Sequence, residues 1–511
     1  MFKKNFIRVF SIAFLIYPIS FLNQLAISYF FGTTEILDLY WLSMSTAIFL
    51  TIHISPIKEV ITKEYFELRK KDLKNANSVL SQNLNLSILI SLFIGIILWF
   101  FPIKILTYIS GNTIVYPAKA ILMLRLLIIY MVLQSFSEIM GSILVSLGKV
   151  IHQNIGKLFT VLFTLIIMLS LTSILHELVL VIGLLTGMVI YLIIQLIELK
   201  KFNINLIFTL IPKFHKNVIS KFGILFFATI AGYALNLFER NVFSNISTGM
   251  ISSYQYGRSL NDIAQNLFVL ALATSLWPNY LKSIYERDIE NVYEITRKKI
   301  FFITILFTLF TILFYVFAPH IVYLIYFRGS FGEESLHMTV LCFRAIVLSM
   351  VPIALNTIFT RALFSFNAVY LVSLSLFAGT SIGFLFLYFG KELQQINLAV
   401  HNLVAFNVFS LIVLSLSFLK YIKKISLHLF TYVFIWIVKI IFSSFLIIKF
   451  YPFPVFEVKS KYDITIELLI HGTFASILLM MLWFAIGIIK IKHFQRLYRE
   501  FTILKSKLID Q

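Results

Sequence analysis

The chain has 511 residues, of which 59 % are apolar and only 13 % are charged, and its mean hydropathy is +0.92. Water-soluble domains are about half apolar, so this composition excludes a soluble enzyme and is typical of a polytopic membrane protein. The single cysteine, Cys342, cannot form an intrachain disulfide, and no Cys/His cluster has the spacing of a zinc site.

Apolar runs long enough to cross a bilayer as helices, about 20 residues each, recur along the whole chain. They predict an all-α fold with fourteen transmembrane helices. The predicted spans are residues 7–30, 38–57, 84–107, 119–147, 155–175, 178–199, 222–246, 255–281, 300–326, 337–365, 369–390, 393–419, 427–449 and 464–489. The first run follows Met-Phe-Lys-Lys like a signal peptide, but it is too long and no small-x-small cleavage motif follows it. We therefore expect it to be retained.

The formal net charge of +20 would suggest nucleic acid in a soluble chain, but here the positions of the cations decide. Of the 43 Lys and Arg residues, 31 fall on the face that carries both termini and seven on the opposite face. Five lie inside predicted spans. This bias indicates a multi-pass protein of the bacterial cytoplasmic membrane with both termini cytoplasmic, and it gives no reason to expect nucleic acid as a partner.

An internal repeat divides the chain into two similar halves. Spans one to six pair with spans seven to twelve, in the same orientation, and two further spans follow. The matching positions are Pro102 and Pro319, Gly111 and Gly329, Arg125 and Arg344, Ser146 and Ser365, and Gly32 and Gly249, at separations of 217–219 residues. We expect an N-terminal six-helix lobe (1–200), a cytoplasmic amphipathic linker helix (201–221), a C-terminal six-helix lobe (222–420) and two extra helices with a basic tail (421–511).

Three stretches of the sequence carry longer motifs with a defined spacing of residues. They run from Phe31 through Gly32 and Asp38 to Tyr40, from Glu239-Arg240 through Gly249 and Tyr254-Gln255-Tyr256-Gly257-Arg258 to Thr274 and Pro278, and from Phe327-Arg328-Gly329-Ser330-Phe331 to Arg361-Ala362-Leu363-Phe364. They resemble, in order, three signatures of the MurJ (MviN) lipid II flippases of the multidrug/oligosaccharidyl-lipid/polysaccharide (MOP) exporter superfamily. The resemblance covers nearly the whole chain and implies the family's six plus six plus two helix arrangement.

The resemblance implies a transporter, not an enzyme, that moves an undecaprenyl-pyrophosphate-linked glycan precursor of peptidoglycan from the inner to the outer leaflet. Two lobes would open alternately to each side. A diphosphate cannot enter hydrocarbon without a cationic partner, and arginine matches phosphate oxygens best. Membrane lipids and the lipid-linked glycan would be the partners, and a monomer is expected. No cofactor is expected, with transport coupled to the membrane potential, H⁺ or Na⁺.

Charges inside spans are costly, so each of the five cations there is a functional candidate. Arg258 lies within one residue of the place where the family keeps a cavity arginine, and we assign Arg258 and Arg240 to substrate binding; snorkelling and an inter-helix ion pair are the alternatives. Arg125 and Arg344 occupy equivalent repeat positions, as an outer gate or as structural anchors. Lys439 belongs either to a lipid-tail groove or to the lipid interface.

Acidic residues in or beside spans, which we assign to gating or coupling, are Asp38, Glu59, Glu138, Glu239 and Asp262. Asp38 matches the family's outer-loop aspartate. Asp262 follows Arg258 by four residues, so the two share a helical face and can pair. Glu59 suits an inner gate or is a solvated charge at a helix end.

One departure from the family concerns the first two spans, where lipid II transporters carry arginines. Here the first span offers Tyr17, Asn23 and Gln24, and the second offers Thr51 and His53. We add Asn23 and His53 to the substrate-binding set. The departure also leaves open a Wzx-like flippase for O-antigen or capsule units. A drug/cation antiporter and a membrane glycosyltransferase are weaker alternatives, which cation efflux from vesicles and product formation in detergent would reveal.

Overall fold

The computed structural model describes most of the chain. The described residues are 2–54, 65, 72–111, 114–147, 149, 152, 155–202, 204, 216–265, 269, 280, 283–366, 368–421, 446, 449, 451, 454–458 and 460–485. They contain seventeen α-helices and no strand. The helices are α1 Phe2–Phe31, α2 Glu35–Ala47, α3 Leu73–Phe100, α4 Pro102–Ser110, α5 Pro117–Ser146, α6 Ile155–Leu175, α7 Leu178–Lys201, α8 Lys216–Ile246, α9 Met250–Gln265, α10 Ile289–Val316, α11 Ala318–Tyr326, α12 Glu333–Val347, α13 Met350–Ser365, α14 Val369–Glu392, α15 Ile396–Val400, α16 Asn402–Tyr421 and α17 Lys461–Ala485.

The all-α transmembrane prediction is confirmed, while the number fourteen stays a prediction. Among the described residues, eight helices are long and apolar enough to cross a membrane, or nine if the bent pair α12–α13 is one span. The predicted span 427–449 lies outside the described residues except for two positions. Most of the predicted linker helix also lies outside them, and residues 216–221 begin α8, ahead of the predicted start of that span at 222.

The repeat is visible in the backbone as well as in the sequence. Left-handed turns recur at Gly111 and Gly329 and at His176 and Gln394, each pair 218 residues apart. The same helix pairs pack in each lobe: α1 on α6 corresponds to α8 on α14, α6 on α7 to α14 on α16, and α3 on α5 to α10 on α13. The two lobes are therefore built alike.

Two spans predicted as continuous, 84–107 and 300–326, are broken, and this corrects the sequence-based bounds. In the first lobe the long helix α3 ends at Phe100, and α4 begins at Pro102. In the second lobe α10 ends at Val316, and Pro319 sits at the start of α11. Proline has no N–H to donate and clashes with the preceding helical turn, so it ends one helix and begins the next. Both breaks lie at equivalent repeat positions.

The two lobes meet at one end of the helices, where the turns after α1, α4, α8 and α11 come together. We call this the outer end, because the Lys/Arg distribution predicts that it faces away from the cytoplasm. These turns position the charged residues that follow.

Candidate functional site

The turns at the outer end join the two lobes by direct hydrogen bonds, and we call this set of contacts the outer seal. The backbone N–H of Ser330 donates to the carbonyl of Tyr29 at 2.9 Å, and the hydroxyl of Tyr256 donates to the carbonyl of Gly32 at 2.7 Å. A third bond at 2.8 Å runs from the amide of Asn245 to the carbonyl of Ser110. The structure is thus closed between the lobes at this end.

Asp38 lies at the centre of the outer seal. Its carboxylate is buried and accepts hydrogen bonds from the backbone N–H groups of Gly249 at 2.7 Å and Ser252 at 2.8 Å, and from the Ser252 hydroxyl. These N–H groups belong to the start of α9, where helical N–H groups lack intrahelical partners and the helix dipole favours a negative charge. A side chain from the first lobe therefore caps a helix of the second.

Glycine is required where the backbones of the two lobes approach each other most closely. Gly329 has a φ of +57°, and a Cβ atom there would lie 2.3 Å from the carbonyl oxygen of Tyr29. Gly32 has a φ of +56°, and its Cβ would lie 2.3 Å from the carbonyl oxygen of Ser330. Only a residue without a side chain fits both the left-handed backbone and the close contact.

Beneath the outer seal lies a cluster of charged side chains on α8 and α9. Arg240 is 3 % exposed, and its guanidinium donates to the Ser45 hydroxyl on α2 at 3.1 Å and to the Gln255 side chain at 3.3 Å. Glu239 is also buried and lies within electrostatic range of Arg240 and Arg258. In the described structure one Arg240 nitrogen and one Glu239 oxygen have no hydrogen-bond partner. The cluster can therefore donate a further hydrogen bond through Arg240 and accept one through Glu239.

Arg258 and Asp262 form the more accessible part of the cluster. They share a face of α9 as the spacing predicts, with Arg258 Nε 4.0 Å from Asp262 Oδ2, and their side chains are 35 % and 51 % exposed. Lys157, on α6 of the first lobe, lies within electrostatic range of Asp262. Because Arg258 also lies near Glu239, this pair is directed toward other protein charges between the lobes, and the alternative of an arginine snorkelling to headgroups receives no support.

Helix α1 of the first lobe carries a neutral polar surface. Ser20, Asn23 and Gln24 on α1 are half-buried, and each has a side-chain oxygen that is shielded from solvent and lacks a partner among the described residues. Asn23 is thus on a polar stripe of α1, as its assignment to substrate binding requires.

Two predicted site residues lie elsewhere. His53 is fully buried inside the first lobe, and its Nε2 is 2.7 Å from the Ser87 hydroxyl on α3. The structure does not bring it to the Arg240 cluster, because its Nε2 is held by the hydroxyl groups of Ser87 and Ser91 inside its own lobe. Glu138 on α5 lies within electrostatic range of Tyr130 and Tyr191 in the first lobe. It is not part of the cluster on α8 and α9 either.

The repeat-related arginines make equivalent contacts within their lobes. Arg125 stacks on the ring of Trp99 at 5.1 Å, and Arg344 stacks on the ring of Tyr315 at 5.7 Å. Arg344 Nε also donates to the Tyr315 carbonyl at 3.2 Å. Each stack joins two helices of one lobe, so the geometry favours the anchoring role over the outer gate. The remaining candidates, Glu59 and Lys439, lie outside the described residues.

Sequence reasoning missed the neutral partners of the cluster. Ser45 and Gln255 hold Arg240, and Tyr254 lies within electrostatic range of Glu239. In the sequence, the run Tyr254-Gln255-Tyr256-Gly257-Arg258 stands out only as a motif. One signal for Gln255 was available in the sequence: it precedes Arg258 by three residues, and residues at that spacing are neighbours on a helix surface. This spacing places Gln255 on the same side of α9 as the predicted site arginine.

Comparison with known proteins agrees with this architecture. The family model described as lipid II flippase MurJ matches residues 27–470. Among solved structures, the chain is similar to a lipid II flippase MurJ in an inward closed conformation, with 16 % identity and a TM-score of 0.75, over 94 % of this chain and 100 % of that one. A comparison with curated proteins finds no match.

Other transporters of the MOP superfamily share the fold. An inward-facing multidrug resistance MATE family transporter is 12 % identical with a TM-score of 0.61, over 81 % of this chain and 95 % of that one. A MOP superfamily transporter from Pyrococcus furiosus is also 12 % identical, with a TM-score of 0.54, over 83 % of this chain and 96 % of that one. The expected two-lobe MOP fold is therefore confirmed, and at these identities the likeness concerns the fold alone.

Proposed function

This chain belongs to the lipid II flippase MurJ family, and on that premise we propose that it carries an undecaprenyl-pyrophosphate-linked glycan from the inner to the outer leaflet by alternating access. Members of this family are transporters and not enzymes. The substrate is lipid II or a precursor of closely similar chemistry. The protein acts as a monomer in the bacterial cytoplasmic membrane, with both termini cytoplasmic, and the Lys/Arg bias supports this orientation.

The observation that carries the proposal is the placement of Arg258 beneath the outer seal. Arg258 is eight residues from the start of α9, which corresponds to about 12 Å along a helix. Its only ion-pair partner among the described residues is Asp262, at the limit of 4.0 Å, and its side chain is 35 % exposed. A guanidinium so weakly held is available to a diphosphate, whose two charges need such a partner inside a membrane.

Arg240 has a second role in this proposal. Its guanidinium is bound to Ser45 of the first lobe and Gln255 of the second. The bond to Ser45 can form only while the two lobes are close together. When a diphosphate engages the cluster, the unpartnered nitrogen of Arg240 gives a further donor. Substrate binding would in this way be linked to the relative position of the lobes.

Alternating access is supported by the character of the outer seal. Its bonds connect one lobe to the other, so all of them must break together when the outer end opens. For coupling we propose Glu239 and Asp262, the two carboxylates of the cluster. The source of energy is the binding of H⁺ or Na⁺ to these carboxylates, or the membrane potential.

The test is complementation of a bacterial strain depleted of its own lipid II flippase. We expect rescue by the wild type, loss of rescue by Arg258→Ala and partial or complete loss by Arg240→Ala. Arg297→Ala is the matched control, because Arg297 is an exposed arginine on α10 whose contacts in the described structure, with Glu294 and the ring of Tyr293, both lie on its own helix. Equal membrane levels of all variants are measured by immunoblot.

The outcomes separate the possibilities. Rescue by Arg258→Ala removes the proposed role of that residue. Failure of the wild type points to another lipid-linked glycan, and complementation of strains lacking an O-antigen or capsule flippase then identifies it. This alternative is favoured by one observation, namely that no Lys or Arg occurs between Arg8 and Lys58, the segment in which the family's lipid II transporters carry arginines.

A further inference from the structure

The two lobes present different chemistry at equivalent positions. Helices α1 and α8 are repeat partners, and their ends at Phe31 and Ile246 are 215 residues apart, while Gly32 and Gly249 are 217 apart. These separations place the counterparts of Glu239 and Arg240 at, or within one residue of, Asn23 and Gln24. A charged pair in the second lobe thus corresponds to a pair of neutral amides in the first.

The amides belong to a stripe that points away from lipid. At 100° per residue, Ser20, Asn23 and Gln24 fall within about 60° of one direction. Leu15 and Leu22 of α1, which are 54 % and 49 % exposed, lie on the opposite side of the helix. The stripe therefore faces the protein interior.

The stripe is not used by the fold. In the described part of the chain, the Ser20 hydroxyl, the Asn23 carbonyl oxygen and the Gln24 carbonyl oxygen have no hydrogen-bond partner. An unmade hydrogen bond at a shielded polar atom costs about 1–3 kcal/mol, so such groups normally bind another protein group, water or a ligand. The terminal torsion of an amide is broad and roughly two-fold, so each amide can present either its oxygen or its NH₂ group.

The stripe and Arg258 lie at the same depth. Asn23 is eight residues from the end of α1 at Phe31, and Arg258 is eight residues from the start of α9 at Met250, which is about 12 Å along each helix. The two helices are joined at the outer seal by the bond from Tyr256 to Gly32. Arg258 lies about 200° around α9 from Tyr256, and its ion-pair partner Asp262 is within electrostatic range of Lys157 on α6, the helix that packs on α1. Arg258 and α1 therefore border the same space between the lobes, and one ligand can face both.

Resting on the proposed function, we infer that the substrate straddles the lobes, with its diphosphate on Arg258 and its first sugar on the Ser20–Asn23–Gln24 stripe. Hydroxyl and acetamido groups are both donors and acceptors, which suits two rotatable amides and a hydroxyl. The stripe carries no charge and cannot hold the diphosphate in place of an arginine. It would make this protein select a sugar-bearing lipid over the same lipid diphosphate without sugar.

The test is equilibrium binding of two lipids to the purified full chain: lipid II, and undecaprenyl pyrophosphate without sugar. We expect the wild type to bind lipid II at least about tenfold more tightly, since one neutral hydrogen bond corresponds to about fivefold in affinity. The triple variant Ser20→Ala, Asn23→Leu, Gln24→Leu should bind both lipids equally, with its affinity for undecaprenyl pyrophosphate within about twofold of wild type. That retained affinity also shows that the variant is folded.

Two further variants complete the test. Arg258→Ala should weaken the binding of both lipids by a similar factor. Ser28→Ala should leave both unchanged, because the Ser28 hydroxyl on the same helix already donates to the Leu25 carbonyl at 2.9 Å. The inference is overturned if the wild type binds the two lipids equally, or if the triple variant keeps the preference. Binding of neither lipid by the wild type would instead contradict the proposed function itself.

Discussion

Removal of the Asp38 carboxylate should open the outer seal. In Asp38→Ala the N–H groups of Gly249 and Ser252 lose an ionised acceptor that comes from the other lobe. Two charge-assisted hydrogen bonds at the low end of their range amount to about 3 kcal/mol, without the contribution of the Ser252 hydroxyl. Because these bonds exist only while the lobes touch, their loss shifts the equilibrium toward the open state by about 100-fold.

The assay is the rate at which a membrane-impermeant thiol reagent, added from outside, labels a cysteine in place of Ser335. The Ser335 hydroxyl is buried in the outer seal, 2.6 Å from the Thr33 hydroxyl, so the new thiol is protected while the seal is closed. The native Cys342 is fully buried and should contribute little background. We expect Asp38→Ala to raise the labelling rate strongly and Asp38→Asn, which keeps one acceptor oxygen, to raise it by about tenfold.

A matched control is Glu35→Ala, because Glu35 is an acidic residue in the same first turn of α2. It has no bond to the second lobe in the described structure, so its loss should leave labelling unchanged. Thermal unfolding of each variant distinguishes opening from general destabilisation. A labelling rate for Asp38→Ala within about twofold of the parent would refute the view that this cap holds the lobes together.

Three other predictions concern the seal, the anchors and the cytoplasmic side. Gly329→Ala should open the outer seal and abolish complementation, since its Cβ would lie 2.3 Å from a backbone oxygen of the facing lobe, whereas Gly232→Ala, with nothing within 4 Å, should be tolerated. Arg344→Ala should lower the free energy of unfolding by about 2 kcal/mol through loss of its contacts with Tyr315, with unchanged transport per folded molecule; loss of transport at unchanged stability would restore the gate role. Burial lowers the pKa of His152, so the folded state favours the neutral ring, and the stability this contributes above pH 6.5 is lost as the pH falls through the lowered pKa. The melting temperature should therefore drop less on acidification in His152→Gln than in wild type, and an identical drop would contradict this.

The sequence was most informative where composition alone controls the structure. Helix α6 begins and ends at the predicted residues 155 and 175, because a lipid-spanning helix is specified by apolar length. The sequence does not predict the breaks before Pro102 and near Pro319, although both prolines are repeat positions. Apolar residues continue across each break, so hydropathy did not register a backbone effect.

The site was predictable only in part, because burial and partners depend on tertiary contacts. The pairing of Arg258 with Asp262 follows from local helical spacing, and the structure has it. By contrast, Ser45 is 195 residues from Arg240, and no local pattern connects them. The sequence assigns His53 to the substrate because it lies in the second span, where the family's lipid II transporters carry an arginine, but the structure places its Nε2 against the hydroxyl of Ser87 on a neighbouring helix.

The turns of the outer seal also bear on inhibition. Gly32 and Gly329 bring main chain against main chain, so a molecule designed to lock the protein in this conformation must imitate a peptide edge and not a set of side chains. A target of that kind offers few routes to resistance, since replacing either glycine would disable the same closure that the drug exploits.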